Sequence, residues 1–147
     1  MNVLLTGGAG YIGSHVVRAL QAAGHTCVVY DNLCKGHPEA VEAEMVVADV
    51  CDQAALTHAL RDYAIDAVIH LAAYIEAGES IEKPDKYFQN NTVCGLTLLE
   101  VMRAVGVRTM VFSSTAAVYG TPERVPIKET DRLDPITPYG SSKLCVE

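Results

Sequence analysis

The chain has 147 residues, half of them hydrophobic, and a formal net charge of −7. That is enough apolar material for one packed domain and it excludes disorder. The acidic balance, with no Lys/Arg-rich run, argues against nucleic-acid and anionic-membrane partners, and no stretch of about 18 apolar residues is present to cross a bilayer.

In chain order, the apolar run Asn2 to Thr6 predicts a buried strand. Gly7, Gly10 and Gly13 follow at every third position, and an amphipathic helix is expected from about Tyr11 to Ala23, with Gly24 as its stop. A strand, a glycine turn and a helix N-terminus form an anion site, because backbone N–H groups and the positive end of the helix dipole face the ligand. Gly7 would permit the tight turn, Gly10 the approach of a pyrophosphate, and Gly13 the close packing of helix on strand. The spacing is GxxGxxG rather than the more familiar GxGxxG. A secretory leader does not fit a chain whose first strand begins at residue 2 and is followed by glycines.

Strand 2 is expected over Cys27 to Tyr30, ending at Asp31, 18 residues after Gly13. A carboxylate there accepts both hydroxyls of an adenosine ribose and repels a 2′-phosphate, which favours NAD over NADP and FAD. Strand 3 covers Met45 to Ala48; Asp49 after it suits either an adenine amine or the cap of a helix over Ala54 to Tyr63. Strand 4 runs from Ala67 to Leu71, and the small residues of Leu71-Ala72-Ala73 leave room for a cofactor at the switch point between strands 1 and 4. His70 reads as a core histidine. A long helical segment is predicted from Glu79 to about Gly106, interrupted near Pro84, with Asn90 and Asn91 inside it. Asparagine is a poor helix-interior residue, so one of the two is expected to hydrogen-bond to a neighbouring element or a ligand. Strand 5 covers Thr109 to Phe112 and ends in three hydroxyls, Ser113, Ser114 and Thr115. Residues 119 to 138 hold four prolines and read as loop. Pro138 suits the first turn of a last helix. The five cysteines (Cys27, Cys34, Cys51, Cys94 and Cys145) show no CxxC spacing and read as reduced thiols, neither a disulfide framework nor a metal site.

On that last helix Tyr139 and Lys143 stand at i and i+4, on one face, with Cβ atoms about 5–6 Å apart. A free tyrosine, with a pKa of about 10, is a poor base at neutral pH; a neighbouring ammonium stabilises its phenolate. Such a pair can take a proton from an alcohol as hydride leaves for a cofactor, and Thr115 can orient that alcohol.

Taken together, TGGAGYIGSH at 6–15, DNL at 31–33, HLAA at 70–73, GESIEKP at 78–84, NN at 90–91, FSSTAAVYG at 112–120 and PYGSSKLCVE at 138–147 resemble the extended short-chain dehydrogenase/reductase family, and within it the UDP-hexose 4-epimerase branch. The resemblance spans essentially the whole chain. It implies an α/β fold, a doubly wound parallel sheet of the NAD-binding Rossmann type over residues 1–147. It also implies that this sheet is truncated, without the later strands and the C-terminal domain that holds the nucleotide sugar. Gly7, Gly10, Tyr11, Ile12 and Gly13 would hold the NAD pyrophosphate. Asp31, Asn32, Lys35 and Gly36 would surround the adenosine ribose and its phosphate, and Asp49 and Val50 would meet the adenine. Leu71, Ala72, Ala73, Asn90 and Ser113 would lie on the nicotinamide side, and Tyr139 and Lys143 would both touch the cofactor. Thr115, Tyr139 and Lys143 would be the catalytic group, and no metal is implied.

The implied reaction is interconversion of UDP-galactose and UDP-glucose in the cytoplasm by a homodimeric full-length enzyme, with hydride leaving C4 for bound NAD and returning to the other face. This chain alone is expected to bind NAD weakly or as a non-native oligomer and not to turn over substrate. Two positions depart from the pattern: Ile75 stands where a lysine is common, and Lys35 where asparagine is. Ala116-Ala117 replaces the acidic pair of the sugar-nucleotide dehydratases, which argues against dehydration. The competing readings are another NDP-sugar epimerase, reductase or decarboxylase of the same family, and a non-catalytic NAD-sensing domain; the latter has no use for Tyr139 beside Lys143.

Overall fold

A computed structural model describes residues 1–147. The elements in order are β1 (Asn2–Thr6), α1 (Tyr11–Ala22), β2 (Thr26–Asp31), a 3₁₀ turn (Pro38–Ala40), β3 (Glu44–Val47), α2 (Gln53–Asp62), β4 (Ala67–His70), α3 (Ala77–Glu82), α4 (Pro84–Tyr87), a π-helical turn (Phe88–Val93), α5 (Cys94–Val105), β5 (Thr109–Phe112), a second 3₁₀ turn (Ala116–Tyr119) and α6 (Pro138–Leu144). They form two compact units, residues 1–73 with 95–113, and residues 74–94 with 114–147.

The first unit holds the sheet. All strand pairs are parallel and the order is β3-β2-β1-β4-β5, so the chain reverses its direction of travel between β1 and β4, at the expected switch point. The strands are apolar on both sides because successive side chains point to opposite faces and both faces are covered. Val3, Leu5, Cys27 and Val29 pack with Val17 of α1. Leu4, Val28, Tyr30 and Val68 pack with Leu56, Ala59 and Leu60 of α2 and with Leu98, Val101 and Met102 of α5. Each fully buried leucine or valine stabilises by about 1.5–3 kcal/mol before the cost of ordering the chain. The outer strands are less covered: Val47 on β3 is 61% exposed and Val111 on β5 is 59% exposed.

The second unit is assembled from short pieces rather than a sheet. The helical segment expected from Glu79 to Gly106 is interrupted near Pro84, as predicted, and a second time by a π-helical turn. Pro84, which has no N–H to donate, opens α4 at its first position, and the chain then widens into the π-helical turn before α5 begins. Residues 120–137 form the expected loop, tied at its ends where the Asp134 amide donates to the Val118 carbonyl at 3.0 Å. Asp131 closes the middle by bonding to the Arg124 guanidinium and accepting from the Lys128 amide at 2.9 Å.

Two local expectations change. The helix after β3 is capped by Asp52, whose side chain accepts from the Ala55 amide at 2.9 Å, and not by Asp49. Asp49 instead accepts from the Cys51 amide at 2.9 Å, a local turn that competes with capping. Cys51 and Cys94 are disulfide-bonded, while Cys27, Cys34 and Cys145 are free. The reading of five reduced thiols therefore fails for two, neither of which lies in a short-spacing cysteine pattern. No helix is long and apolar enough to cross a membrane.

Candidate active site

In the first unit the site begins where β1 ends. Gly7 has φ +70°, in the left-handed region, and donates its N–H to the Tyr30 carbonyl at 2.9 Å. A Cβ there would also sit 2.7 Å from the Ala72 nitrogen. A Cβ on Gly13 would lie 2.4 Å from the Gly7 carbonyl oxygen, so the first turn of α1 packs flush on the glycine turn. Around Gly10 the only atom within 4 Å of such a Cβ is the Gly7 oxygen, at 3.3 Å. The surface above it is open. Gly10 is also the N-cap of α1, with no side chain capping the helix and no acidic residue in the first turn. Tyr11 and Ile12, the first helical residues, are 83% and 62% exposed. An uncapped helix start with about half a positive charge, bare of side chains at Gly10, is an anion cradle, and the residues present fit a dinucleotide's diphosphate.

At the end of β2, Asp31 is 8% exposed. One of its oxygens accepts from the Ala9 amide at 3.1 Å and the other from the Leu33 amide at 2.9 Å. A carboxylate has about four acceptor positions, so two remain open to further donors. Gly36 is the neighbour that keeps this space clear: a Cβ on it would stand 2.8 Å from Asp31 Oδ1. Asn32 donates to Asp49 Oδ2 at 2.8 Å, tying the ends of β2 and β3 together. Lys35 and Asp49 are exposed, and Val50 is half-buried. Leu71, Ala72 and Ala73 are half-buried, as is Ser113, whose amide donates to the His70 carbonyl at 3.1 Å. His70 is buried, 2.6 Å from the Thr6 hydroxyl through Nδ1 and stacked on Phe112, so it is a core histidine as expected. Thr6 is the residue that sequence reasoning passed over. Its fully buried hydroxyl also accepts from the Ala72 amide at 3.4 Å, which fixes the small-residue stretch after β4.

In the second unit α6 carries Tyr139 and Lys143. Pro138 needs no partner for its nitrogen, and the Thr137 hydroxyl caps the helix by accepting from the Gly140 amide at 3.1 Å. The amide between them, on Tyr139, donates to Ser80 Oγ at 3.1 Å. Lys143 is only 3% exposed, and burial pulls its ammonium down to about 8, against a smaller opposing pull from Glu147. Thr115 caps the turn at Ala116–Tyr119 by accepting from the Ala117 amide at 3.1 Å. That turn lies against α6, because a Cβ on Gly140 would stand 2.7 Å from the Ala117 carbonyl oxygen. The structure thus collects Thr115, Tyr139 and Lys143 in one unit.

The asparagine pair resolves in favour of the second member. Asn91, 1% exposed, accepts from the Tyr74 amide at 2.9 Å and from Asn90 Nδ2 at 2.9 Å, and donates to the Tyr74 carbonyl at 3.0 Å and to Ser142 Oγ at 3.1 Å. All four of its hydrogen-bonding positions are used. Thr92 adds a bond from its hydroxyl to the Ser142 carbonyl at 2.9 Å. The π-helical turn therefore anchors α6 through two consecutive residues. Asn90 is half-buried and leans on Asn91.

Residues 3–147 match the family model described as "NAD dependent epimerase/dehydratase family". The chain belongs to that family. Among curated relatives it is 49% identical to UDP-glucose 4-epimerase of Lacticaseibacillus casei, over 100% of this chain and 45% of the relative. Among solved structures it is similar to UDP-glucose 4-epimerase from Brucella ovis in complex with NAD, with a TM-score of 0.97 and 46% identity over 99% of this chain and 45% of that one. It is also similar to the Stenotrophomonas maltophila UDP-glucose 4-epimerase with bound NAD and formylated UDP-arabinopyranose, with a TM-score of 0.96 and 41% identity over 99% of this chain and 46% of that one. The chain spans less than half the length of the epimerases it matches.

Proposed function

We propose that this chain is the cofactor-binding and proton-transfer part of a UDP-glucose 4-epimerase. The observation that carries the reading is the pair on α6: a tyrosine and, one turn on, a lysine almost wholly withdrawn from water. The relatives' names and the NAD complexes among them support the same choice.

Bound NAD would supply a reversible hydride acceptor for C4 of the sugar. The amides of the turn from Gly7 to Gly13, with Tyr11 and Ile12 opening α1, would hold the diphosphate. Asp31 would take the ribose hydroxyls, with Asn32, Lys35 and Gly36 around them. Asp49 and Val50 would flank the adenine. Leu71, Ala72, Ala73, Asn90 and Ser113 would bound the nicotinamide end. The Tyr139 phenolate would take the sugar's 4-hydroxyl proton and give it back after the 4-keto sugar has turned over, while Thr115 orients that hydroxyl. Lys143, at about 8, keeps most of its charge at neutral pH and would stabilise the phenolate. In the complete protein we expect a cytoplasmic homodimer taking UDP-sugars, an assembly that light scattering would test.

The experiment uses the longest natural polypeptide that carries these residues. It is incubated with UDP-galactose, and UDP-glucose is measured by a coupled dehydrogenase. Tyr139→Phe should lower turnover about 10²- to 10⁴-fold, the usual contribution of a positioned base, and leave NAD binding in place. A parent protein that holds NAD yet forms no UDP-glucose would overturn the proposal.

A further inference from the structure

What fixes Tyr139 itself, in the first turn of the seven-residue α6, is a separate matter. The first turn of a helix has orphan N–H groups, and a loose first turn lets its side chains wander. Thr137 serves Gly140, and Pro138 has no N–H. That leaves the amide of Tyr139, and it is met from another element. Ser80, fully buried in the middle of α3, accepts it at 3.1 Å while donating its own proton to the Ala77 carbonyl at 2.6 Å. Ser80 is therefore a cap supplied in trans, with its hydroxyl rotor fixed by the second bond.

The ring of Tyr139 is met by the same stretch of chain. Tyr87, also fully buried, stands edge-on to it with ring centroids 6.4 Å apart. Tyr87 is held in turn by its hydroxyl, which donates to Glu79 Oε2 at 3.0 Å. Glu79 is the neighbour of Ser80 on α3 and is fastened by Lys86 at 2.8 Å and Lys83 at 3.1 Å. Lys86 lies over the Tyr74 ring at 4.2 Å, and the Tyr74 and Tyr87 ring centroids are 6.0 Å apart.

We infer that Ser80 and Tyr87 are positioning residues for Tyr139: Ser80 fixes its main chain and Tyr87 its ring, and Glu79 on α3 fixes Tyr87. The inference rests on the proposed role of Tyr139 as proton acceptor. Neither Ser80 nor Tyr87 is offered as touching substrate. Misplacing a reacting group by about 1 Å costs on the order of 100-fold in rate, so the effect belongs in kcat.

Two variants and two readouts test it. In Ser80→Ala the Tyr139 amide loses its acceptor, and its hydrogen exchange, followed by NMR on the 147-residue chain, should quicken by at least about tenfold, the exchange equivalent of a hydrogen bond of roughly 1.4 kcal/mol. In the longest natural polypeptide, Ser80→Ala and Tyr87→Phe should each lower kcat by about 10- to 100-fold, with KM for UDP-galactose within about threefold and NAD affinity unchanged. Tyr87→Phe keeps the ring and the packing, so it remains informative if Ser80→Ala folds poorly. Unchanged exchange at Tyr139 in Ser80→Ala, or a full kcat in Tyr87→Phe, overturns the inference. If Tyr139→Phe itself leaves turnover intact, the proposed function fails instead, and the exchange result still reports whether the amide is held.

Discussion

The glycine turn at the start of α1 and the start of α6 do comparable jobs by opposite means. The first makes its site out of main chain. What matters there is the absence of atoms: no Cβ at Gly7, Gly10 or Gly13, and no cap on the helix. The second presents side chains on a helix that is anchored by partners far away in sequence. Ser80 reaches Tyr139 across 59 residues, and Asn91 reaches Ser142 across 51. A site defined by main chain is broken by adding atoms, and one defined by side chains by removing them.

The contrast can be sharpened or broken by experiment, beginning with the largest effect. Lys143→Met should abolish turnover in the complete enzyme yet raise stability at neutral pH. The lysine's folded pKa lies below its ordinary value of 10.5, at about 8, so the folded state binds fewer protons than the unfolded one between those two values. Stability should therefore rise with pH from about 8 to about 10.5, by roughly 3 kcal/mol from this group, and Lys143→Met should lack that rise. Urea titrations of both proteins across that window check it.

Gly13→Ala should cost about 1–3 kcal/mol through overpacking against the Gly7 carbonyl and should weaken NAD binding, as unfolding and calorimetry will show. A variant with wild-type NAD affinity would mean that the first turn tolerates a side chain. Asp31→Asn should narrow the preference for NAD over NADP by about tenfold, roughly 1.4 kcal/mol, since the charge that repels a 2′-phosphate is gone. Equal NAD and NADP affinity in the wild type would remove the ribose role of Asp31. The smallest effect is expected at Glu79. Bonds from Lys86, Lys83 and Tyr87 hold its carboxyl down at about 2. Its contribution is present above pH 4.5 and lost as pH falls toward 2, so Glu79→Gln should flatten part of the acid limb of the melting curve.

The same contrast explains what the sequence made legible. β1 is predicted to the residue and α1 to within one, because the glycine turn is local chemistry. The strand order follows from alternating strands and helices, with β4 beginning where a continuous apolar run predicts it. Sequence alone marks Asn90 and Asn91 as misfits in a helix, but choosing Asn91 takes the π-helical turn, which carries no pattern of its own. Ser80 is ordinary in sequence; it becomes significant only when α6 supplies an amide in need of an acceptor. Thr6 hides for the same reason, a polar residue at the end of an apolar strand whose partners, His70 and Ala72, lie 64 and 66 residues on.

The turn that we assign to the diphosphate is built from peptide groups, and a peptide group neither gains nor loses a proton between pH 5 and 9. Occupancy of that subsite should stay level across the range. Any pH dependence of coenzyme binding or turnover would then arise elsewhere than in that subsite.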